Sequence, residues 1–190
     1  MTPAINAAKK AGITHRIHEY QHDASAASYG LEAAEKLGVS ADRVFKTLIA
    51  ELDDGRLAVG IVPVATSLNL KSLAALVGGK RAEMADMAKA ERATGYVAGG
   101  ISPIGQKKRL PTVLDESASL HGTIFVSAGR RGLEIEIAPA DLLKLTGGKL
   151  GAIARREWLP RAWLTSLVDE REVSTQRRIE IHERVAREMY

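Results

Sequence analysis

The sequence predicts an α+β domain with a mixed or antiparallel sheet, and three observations support this fold class. Two pairs of strand-like runs are joined by turn signals, Asp53-Asp54-Gly55 and the Gly-Arg-Arg-Gly of residues 129–132, as in β-hairpins. Helix-like segments bounded by capping residues and glycines are interspersed among the strands. A regular strand–helix–strand alternation is absent, which argues against a dinucleotide-binding, doubly wound fold.

In the N-terminal half, capping residues and apolar spacing define the elements. Thr2 followed by Pro3 predicts the start of a helix that ends near Gly12. A second helix is closed by Gly38, and Asn69 caps a third. In chain order we predict a helix over 3–11, a strand over 15–20, a loop over 21–28, a helix around 31–37, strands over 43–52 and 56–63, and a helix over 70–77.

In the C-terminal half, Pro139 starts a helix that Gly147 stops. The predicted elements are a helix over 86–92, a strand over 95–98, a loop over 99–109, an extended run over 111–115, strands over 123–128 and 133–138, and a helix over 139–145. Both tryptophans lie after residue 157, where the composition changes to a short apolar block followed by a charged stretch. We therefore expect one domain over 1–157 and a helical extension over 158–190, which packs on the core, swaps between subunits or binds a partner.

The composition excludes several classes of protein. The chain has 190 residues, of which 26% are charged and none is cysteine. No apolar run approaches the roughly 18–20 residues of a membrane span, and the N-terminus lacks the pattern of a secretory signal. Without cysteine there is no disulfide, no thiolate-held zinc and no cysteine nucleophile. A cytoplasmic protein with no membrane partner is the expectation.

The net charge of +4 belongs to residues 1–157, which carry 21 basic and 17 acidic side chains, whereas residues 158–190 are neutral. Basic clusters lie at predicted turns or element ends. Each alone is typical of solvated surface charge, and together they also fit a rim that faces a polyanion. These clusters are Lys107-Lys108-Arg109, Arg130-Arg131 and Arg155-Arg156.

Lys46 lies in a strand whose alternation places it on the face of Val44, Leu48 and Ala50. A lysine on an apolar face indicates either an exposed sheet edge, which the strand pattern slightly favours, or a site for a phosphate, a carboxylate or an ester carbonyl. The loop over 99–105 contains adjacent glycines that let a backbone approach a ligand, but for the loop alone a tight turn with a proline is favoured. The cations that follow it at 107–109 make phosphate or nucleic-acid contact a fair competitor.

Other polar residues give weaker signals. Ser127 could meet Glu134 across the second hairpin, whereas Glu136 is typical of a polar outer strand face. His15 and His18 face opposite ways on a strand, so no metal site is predicted. A nucleophile elbow for a serine triad is absent from the sequence.

Taken together, the sequence resembles the YbaK/EbsC family, and in particular its bacterial Cys-tRNA(Pro) deacylase branch, a relative of the editing domain of some prolyl-tRNA synthetases. The resemblance covers residues 1 to about 156, and the run over 99–111 is its most specific part. The matching stretches are MTPA at 1–4, VFKTL at 44–48, EMAD at 83–86, TGY at 94–96, GGISPIGQKKRLP at 99–111 and RGLEIE at 131–136.

The resemblance implies a mixed, barrel-like sheet with flanking helices, and hydrolytic clearance of cysteine mischarged on tRNA(Pro). Lys46 matches the essential lysine of the family. Positions associated with the pocket are occupied by Tyr20, Tyr29, Thr47, Gly99, Gly100, Ser127 and Glu134. Tyr29 stands where phenylalanine is common, and Glu134 stands where aspartate is common. The basic residues Lys107, Lys108, Arg109, Arg130 and Arg131 would meet the tRNA acceptor end.

The family mechanism resembles substrate assistance, in which the cysteinyl thiol attacks its own ester carbonyl. It implies no protein nucleophile, no metal and no cofactor, and it implies help from prolyl-tRNA synthetase. A second hypothesis is a deacylase for alanyl- or another small aminoacyl-tRNA. A third is a non-catalytic module that binds tRNA or a protein through residues 158–190. No DNA partner is expected.

Overall fold

The computed structural model describes residues 1–23 and 28–155. This part of the chain contains five α-helices and ten short or medium strands. The helices are α1 (Pro3–Lys10), α2 (Tyr29–Leu37), α3 (Leu70–Leu76), α4 (Met87–Thr94) and α5 (Pro139–Thr146), with 3₁₀ turns at Ala41–Arg43 and Glu116–Leu120. The strands are β1 (His15–Glu19), β2 (Val44–Leu52), β3 (Leu57–Pro63), β4 (Ser67–Leu68), β5 (Ala82–Met84), β6 (Thr112–Asp115), β7 (Ile124–Arg130), β8 (Leu133–Ile137), β9 (Lys149–Gly151) and β10 (Ala154–Arg155).

Eight strands form one mixed sheet in the order β1-β8-β7-β2-β3-β6-β9, and β5 pairs with β2 outside this path. The pairs β1–β8, β7–β8, β2–β3 and β2–β5 are antiparallel, whereas β2–β7, β3–β6 and β6–β9 are parallel. The two remaining strands, β4 and β10, form a small antiparallel sheet. The predicted class, a mixed sheet with flanking helices, is therefore confirmed.

Helices cover both faces of the sheet. Successive side chains of a strand point to opposite faces, and β2 carries apolar side chains on both. On one face, Phe45 and Ile49 of β2 pack in a cluster that includes residues of α1, α4 and α5. On the other face, Val44 packs with α2, and Ala50 packs with α3. The β2 segment between Val44 and Ala50 thus lies between two apolar clusters of the second face.

The local signals for caps and hairpins are confirmed. The Thr2 hydroxyl accepts a hydrogen bond from the Ile5 N–H at the start of α1, and Gly38 ends α2 in the left-handed conformation. Both predicted hairpins form. The second has a tighter turn than predicted, because β7 extends to Arg130 past an irregular register between Ser127 and Arg130.

The predicted strand over 95–98 is wrong. Gly95 ends α4 with φ 79°, and its N–H donates to the Glu91 carbonyl. The Glu91 side chain then accepts a 2.8 Å hydrogen bond from the Ala98 N–H, and the Gly100 N–H donates to the Val97 carbonyl. These bonds fold the segment back on the end of the helix instead of extending it.

Four strands of two or three residues, β4, β5, β9 and β10, had no sequence prediction. The expectations for residues 158–190, including a helical extension, fall outside the described residues. Among the helices of the described ranges, none combines the length and the apolar character that crossing a bilayer would need.

Candidate active site

Four polar side chains share one face across the strands β1, β8, β7 and β2. His18 is paired with Glu134 between β1 and β8, and Glu134 is paired with Ser127 between β8 and β7. Residues paired across a ladder project to the same face of the sheet. Val44 is paired with Phe125, so Lys46 and Ser127, each two residues further on, also lie on that face. The structure therefore places Lys46, Ser127 and Glu134 on one face of the sheet.

Glu134 is a buried carboxyl, with 7% of its surface exposed. Burial raises its pKa from 4.5 to about 8, because desolvation penalises the charged form. At neutral pH the carboxyl is therefore mostly protonated in the unliganded protein. A protonated carboxyl can donate a hydrogen bond. When a cation enters, the carboxyl can release its proton and pair with the cation as a carboxylate.

Tyr20 lies beside this carboxyl, at the end of β1. Its backbone N–H donates to the Gly132 carbonyl at the β7–β8 turn. Burial, followed by the negative charges of Glu134 and Glu32, raises the pKa of the Tyr20 phenol to about 12. The phenol is therefore neutral over the whole physiological range and lies close to both carboxyl groups.

β2 is an interior strand of the sheet and not the edge strand that the strand pattern slightly favoured, but at Lys46 it is paired, within the described residues, on one side only. Lys46 is half-buried in a central strand and is paired with Val62 of β3. On its other side, β2 pairs with β7 at Val44 and Phe45 and with β5 from Ala50 onward. Lys46 stands where β7 leaves β2, because these two strands pair over only two residues.

Thr47 faces away from Lys46. It is paired with Ile61, and it shares the face of Phe45 and Ile49, whose side chains lie in the cluster on the opposite side of the sheet. Its hydroxyl oxygen is buried and has no hydrogen-bond partner within the described residues. The structure thus does not group the Thr47 side chain with Lys46, although the two are adjacent in the chain.

Tyr29 and the loop that contains Gly99 meet at the β7–β8 turn. The Arg131 guanidinium lies over the Tyr29 ring, 4.5 Å from its centre, and donates a 2.9 Å hydrogen bond to the Ala98 carbonyl. Gly99 has φ 80°, and a Cβ there would lie 2.7 Å from Arg131 Nε and 2.8 Å from Tyr29 Cε2. Glycine is therefore required both by the backbone conformation and by the close contact.

Gly100 is required by packing alone. A Cβ at Gly100 would lie 2.9 Å from the Cα of Arg130, which is backbone and cannot rotate away. The two glycines thus allow the loop to lie directly against the β7–β8 turn, next to the strand that carries Glu134. The structure shows a turn, closed by the hydrogen bond from the Gly100 N–H to the Val97 carbonyl, that packs on the backbone of Arg130; the approach to a ligand stays a prediction.

Two carboxylate–histidine pairs surround these residues, and the sequence did not indicate them. The buried Glu32 of α2 contacts His22 Nδ1 at 2.8 Å and accepts a 2.6 Å hydrogen bond from the Asp23 N–H. The His22 ring also lies against Tyr29, with ring centres 5.3 Å apart. The sequence carried only one signal for the first pair: His22 and Glu32 are ten residues apart, so His22 lies shortly before α2.

Glu136 forms the second pair, with His18 at 2.8 Å. It also accepts a 2.6 Å hydrogen bond from the Thr123 hydroxyl and contacts Arg43 at 3.4 Å. These interactions, led by the Thr123 hydrogen bond, lower the pKa of the Glu136 carboxyl. The prediction of a plain polar outer face for Glu136 is therefore incomplete, because its carboxylate is held in a polar network. Glu134 and Glu136 differ in charge state although they are two residues apart on one strand.

The five basic residues expected to contact tRNA do not form one patch of equivalent charges. Arg130 pairs with Glu19, and Arg131 stacks on Tyr29. Arg109 lies over Gly147 at the end of α5, where a Cβ would come within 2.1 Å of its guanidinium. Lys107 and Lys108 are held at the end of α4, where their N–H groups donate to the carbonyls of Thr94 and Ala93.

The arrangement offers a lysine, two phenols, a serine hydroxyl and a neutral buried carboxyl around one region of the sheet. Such groups can bind a phosphate, orient an amine and polarise a carbonyl. Within residues 1–23 and 28–155, no group of three or more His, Asp or Glu side chains has the geometry of a metal site.

Comparison with known proteins gives a consistent set of relatives. The sequence model of the family described as "Aminoacyl-tRNA editing domain" matches residues 24–145. A protein of Enterococcus faecalis (strain ATCC 700802 / V583), named as a candidate Cys-tRNA(Pro)/Cys-tRNA(Cys) deacylase, EbsC, is 44% identical over 124 residues. That match covers 65% of this chain and 76% of the relative.

Two solved structures share the fold. The hypothetical protein APE2540 superimposes with a TM-score of 0.72 at 26% identity, covering 80% of this chain and 99% of that one. A structure described as a candidate trans-editing enzyme for prolyl tRNA synthetase gives a TM-score of 0.71 at 23% identity, covering 80% of this chain and 95% of that one.

Proposed function

We propose that this chain, which belongs to the aminoacyl-tRNA editing family and is an aminoacyl-tRNA deacylase, clears cysteine mischarged on tRNA(Pro) in trans. The observation that carries the proposal is the buried carboxyl of Glu134 on the same sheet face as Lys46. This combination suits a ligand with an amine at one end and a phosphate at the other, as at the aminoacylated 3′ end of a tRNA.

Deacylation in this site would use the thiol of the substrate. The cysteinyl sulfur attacks the ester carbonyl carbon, and the bond from that carbon to the ribose oxygen breaks. The thiol proton passes to the ribose oxygen, which leaves as the hydroxyl of free tRNA, and the amino acid leaves as a cyclic thiolactone that water then opens. An aminoacyl ester is already reactive, so positioning and carbonyl polarisation can supply the rate enhancement.

The proposed residue roles follow the placement of the side chains. Lys46 binds the phosphate of the terminal adenosine or the ester region. Glu134 receives the substrate amine and ionises as it does so, since a cation beside a buried carboxyl favours the charged form. Tyr20, Tyr29 and Ser127 line the site, with the Gly99 N–H toward the carbonyl. Thr47 lies on the other face of the sheet, and the Gly100 N–H already donates to the Val97 carbonyl, so neither is given a role toward the substrate.

A single turnover panel tests the function. The purified protein is mixed with Cys-tRNA(Pro), Ala-tRNA(Pro) and Cys-tRNA(Cys), and the loss of the acyl group and the formation of thiolactone are followed by mass spectrometry. We expect Cys-tRNA(Pro) to be deacylated through thiolactone and Ala-tRNA(Pro) to persist, because alanine has no thiol. Rapid loss of alanine would assign the enzyme to small acyl groups in general.

Lys46→Ala is the matching variant, and Lys144→Ala is its control, since Lys144 is exposed on α5 and pairs only locally with Asp141. We expect the Lys46 variant to lose deacylation by at least about 100-fold, the scale of removing one group that stabilises a transition state. Equal turnover by the wild type and Lys46→Ala would refute the role given to Lys46, and no turnover by the wild type would refute the function.

The proposed partners are the acceptor end of tRNA(Pro) and prolyl-tRNA synthetase, and the proposed compartment is the cytoplasm, where these molecules meet. Adding the synthetase to the panel tests the second partner. We expect it to increase the preference for tRNA(Pro) over tRNA(Cys).

A further inference from the structure

A groove of about 410 Å³ lies between the β2–β3 turn, helix α4 and the segment that follows the glycine loop. All ionisable side chains that line it are basic: Arg56, Lys89, Arg92 and Lys108. The rest of its wall is formed by Gly55, Leu57, Ala93 and Leu110. Three of the basic residues come from parts of the chain that showed no basic cluster, so the groove is visible only in the folded protein.

The charges of the groove are partly compensated. Lys89 pairs with Glu51, and Arg56 pairs with Asp54 at 2.7 Å. Arg92 and Lys108 are exposed, and neither forms an ion pair with any described residue. The groove therefore presents a net positive charge, and Arg92 and Lys108 are the two cations available to an external anion.

A second, larger cleft of about 830 Å³ shares Gly55 with the groove but has a different charge pattern. Its wall contains three acidic and three basic side chains. Moreover, Asp53 in that cleft already accepts hydrogen bonds from the N–H groups of Lys80 and Arg81. A mixed wall of this kind does not attract a polyanion, so it provides an internal comparison for the basic groove.

The basic groove and the glycine loop are carried by one packed segment. The Lys108 N–H donates to the Ala93 carbonyl at 3.0 Å, which fixes the groove wall to the end of α4. From the same helix end, the chain runs through Tyr96, whose hydroxyl donates to the buried Ile104 carbonyl at 2.7 Å. Only eight positions separate Gly100 from Lys108, and these two hydrogen bonds anchor the segment that contains this loop.

We propose that this groove, whose Leu57 and Leu110 pack on the sheet face opposite Lys46 and Glu134, binds the phosphate backbone of tRNA. The inference rests on the proposed function. The groove offers four cationic side chains and aliphatic carbon, a lining that suits phosphate oxygens. Contacts of this kind add affinity that is independent of sequence.

The test measures binding of uncharged tRNA by fluorescence anisotropy over a series of potassium chloride concentrations. The variant Arg92→Gln/Lys108→Gln removes the two available cations. Two lost phosphate contacts should reduce the slope of log K against log salt by about 1.4–1.8 and weaken binding roughly tenfold or more at low salt. Lys71→Gln/Lys80→Gln in the mixed cleft removes the same charge and should leave the slope unchanged.

Each outcome decides the proposal. Equal losses in both double variants would mean that the surface acts only through its net charge, and an unchanged slope in the groove variant would mean that the groove does not contact RNA. Either result overturns the proposal, as does a wild type with no affinity for tRNA that depends on salt. Because uncharged tRNA is used, a groove-specific loss would support RNA binding even if no acyl group were ever hydrolysed.

Discussion

Replacing Glu134 with glutamine should flatten the pH dependence of stability above neutral pH. Burial raises the pKa of Glu134 from 4.5 to about 8, so between these values the native protein holds a proton that the unfolded chain has released. The stabilisation from this group is complete below the unfolded pKa and is lost as the pH rises through the folded pKa. Glutamine is nearly isosteric with the protonated carboxyl and does not titrate.

The magnitude follows from the two pKa values. Proton linkage gives a loss of about 2–3 kcal/mol in the free energy of unfolding between about pH 6 and pH 9 from this one carboxyl. The difference in unfolding free energy between Glu134→Gln and the wild type should therefore grow by about 2–3 kcal/mol, in favour of the variant, between pH 6 and pH 9.

The measurement is urea unfolding followed by far-ultraviolet circular dichroism at about pH 6, 7, 8 and 9. Glu83→Gln serves as the matched control, since Glu83 lies on β5 and is exposed, and its variant should follow the pH profile of the wild type. If Glu134→Gln keeps the same slope as the wild type, or if the stability of the wild type rises over this range, the burial of a neutral carboxyl is refuted.

Three further predictions concern the surroundings of the site. Gly100→Ala should destabilise the fold by about 1–3 kcal/mol, because its Cβ would lie 2.9 Å from the Arg130 Cα, whereas Gly122→Ala meets no atom within 4 Å; urea midpoints compare the two. Tyr29→Phe should keep deacylation within about twofold and Tyr29→Ala should raise KM, since the ring stacks on Arg131 and this contact needs no hydroxyl. Glu32→Gln should cost about 1–3 kcal/mol of thermal stability, because it weakens charge-assisted hydrogen bonds of a buried carboxylate.

The parts of the fold that could be predicted are those set by local chemistry. Caps such as Thr2, hairpin turns such as residues 53–55 and apolar periodicity act within a few residues, so one sequence suffices to locate them. The short strands β5 and β9 are defined by the partners on which they dock, and their sequences carry no pattern of their own. The segment over 95–98 has a strand-like composition, but the left-handed Gly95 and the Glu91 side chain decide its course.

The candidate site shows the same division. Alternation placed Lys46 on the correct face, and the hairpin predicted that Ser127 and Glu134 could meet. Whether β2 is an edge or an interior strand depends on β7, which pairs with it from some 80 residues away, so the pattern of β2 alone could not decide. The pairing of His22 with Glu32 likewise requires knowing how α2 lies against the loop before it. For Thr47, alternation already indicated the opposite face, whereas the family resemblance grouped it with Lys46.

The proposed mechanism also explains how a polar site could be selective. The side chains of cysteine and alanine differ by one sulfur atom, and a pocket separates substrates that differ by about one small group by only about 10- to 200-fold. Reactivity separates the two substrates further. The proposed site supplies no nucleophile, so a cysteinyl ester can react through its own thiol, whereas an alanyl ester has no group that can attack the carbonyl. Glu134 then needs to recognise only the amine that all aminoacyl esters share. On this reasoning, the longer reach of glutamate relative to aspartate adjusts the position of the amine, and the substrate's own chemistry selects the acyl group.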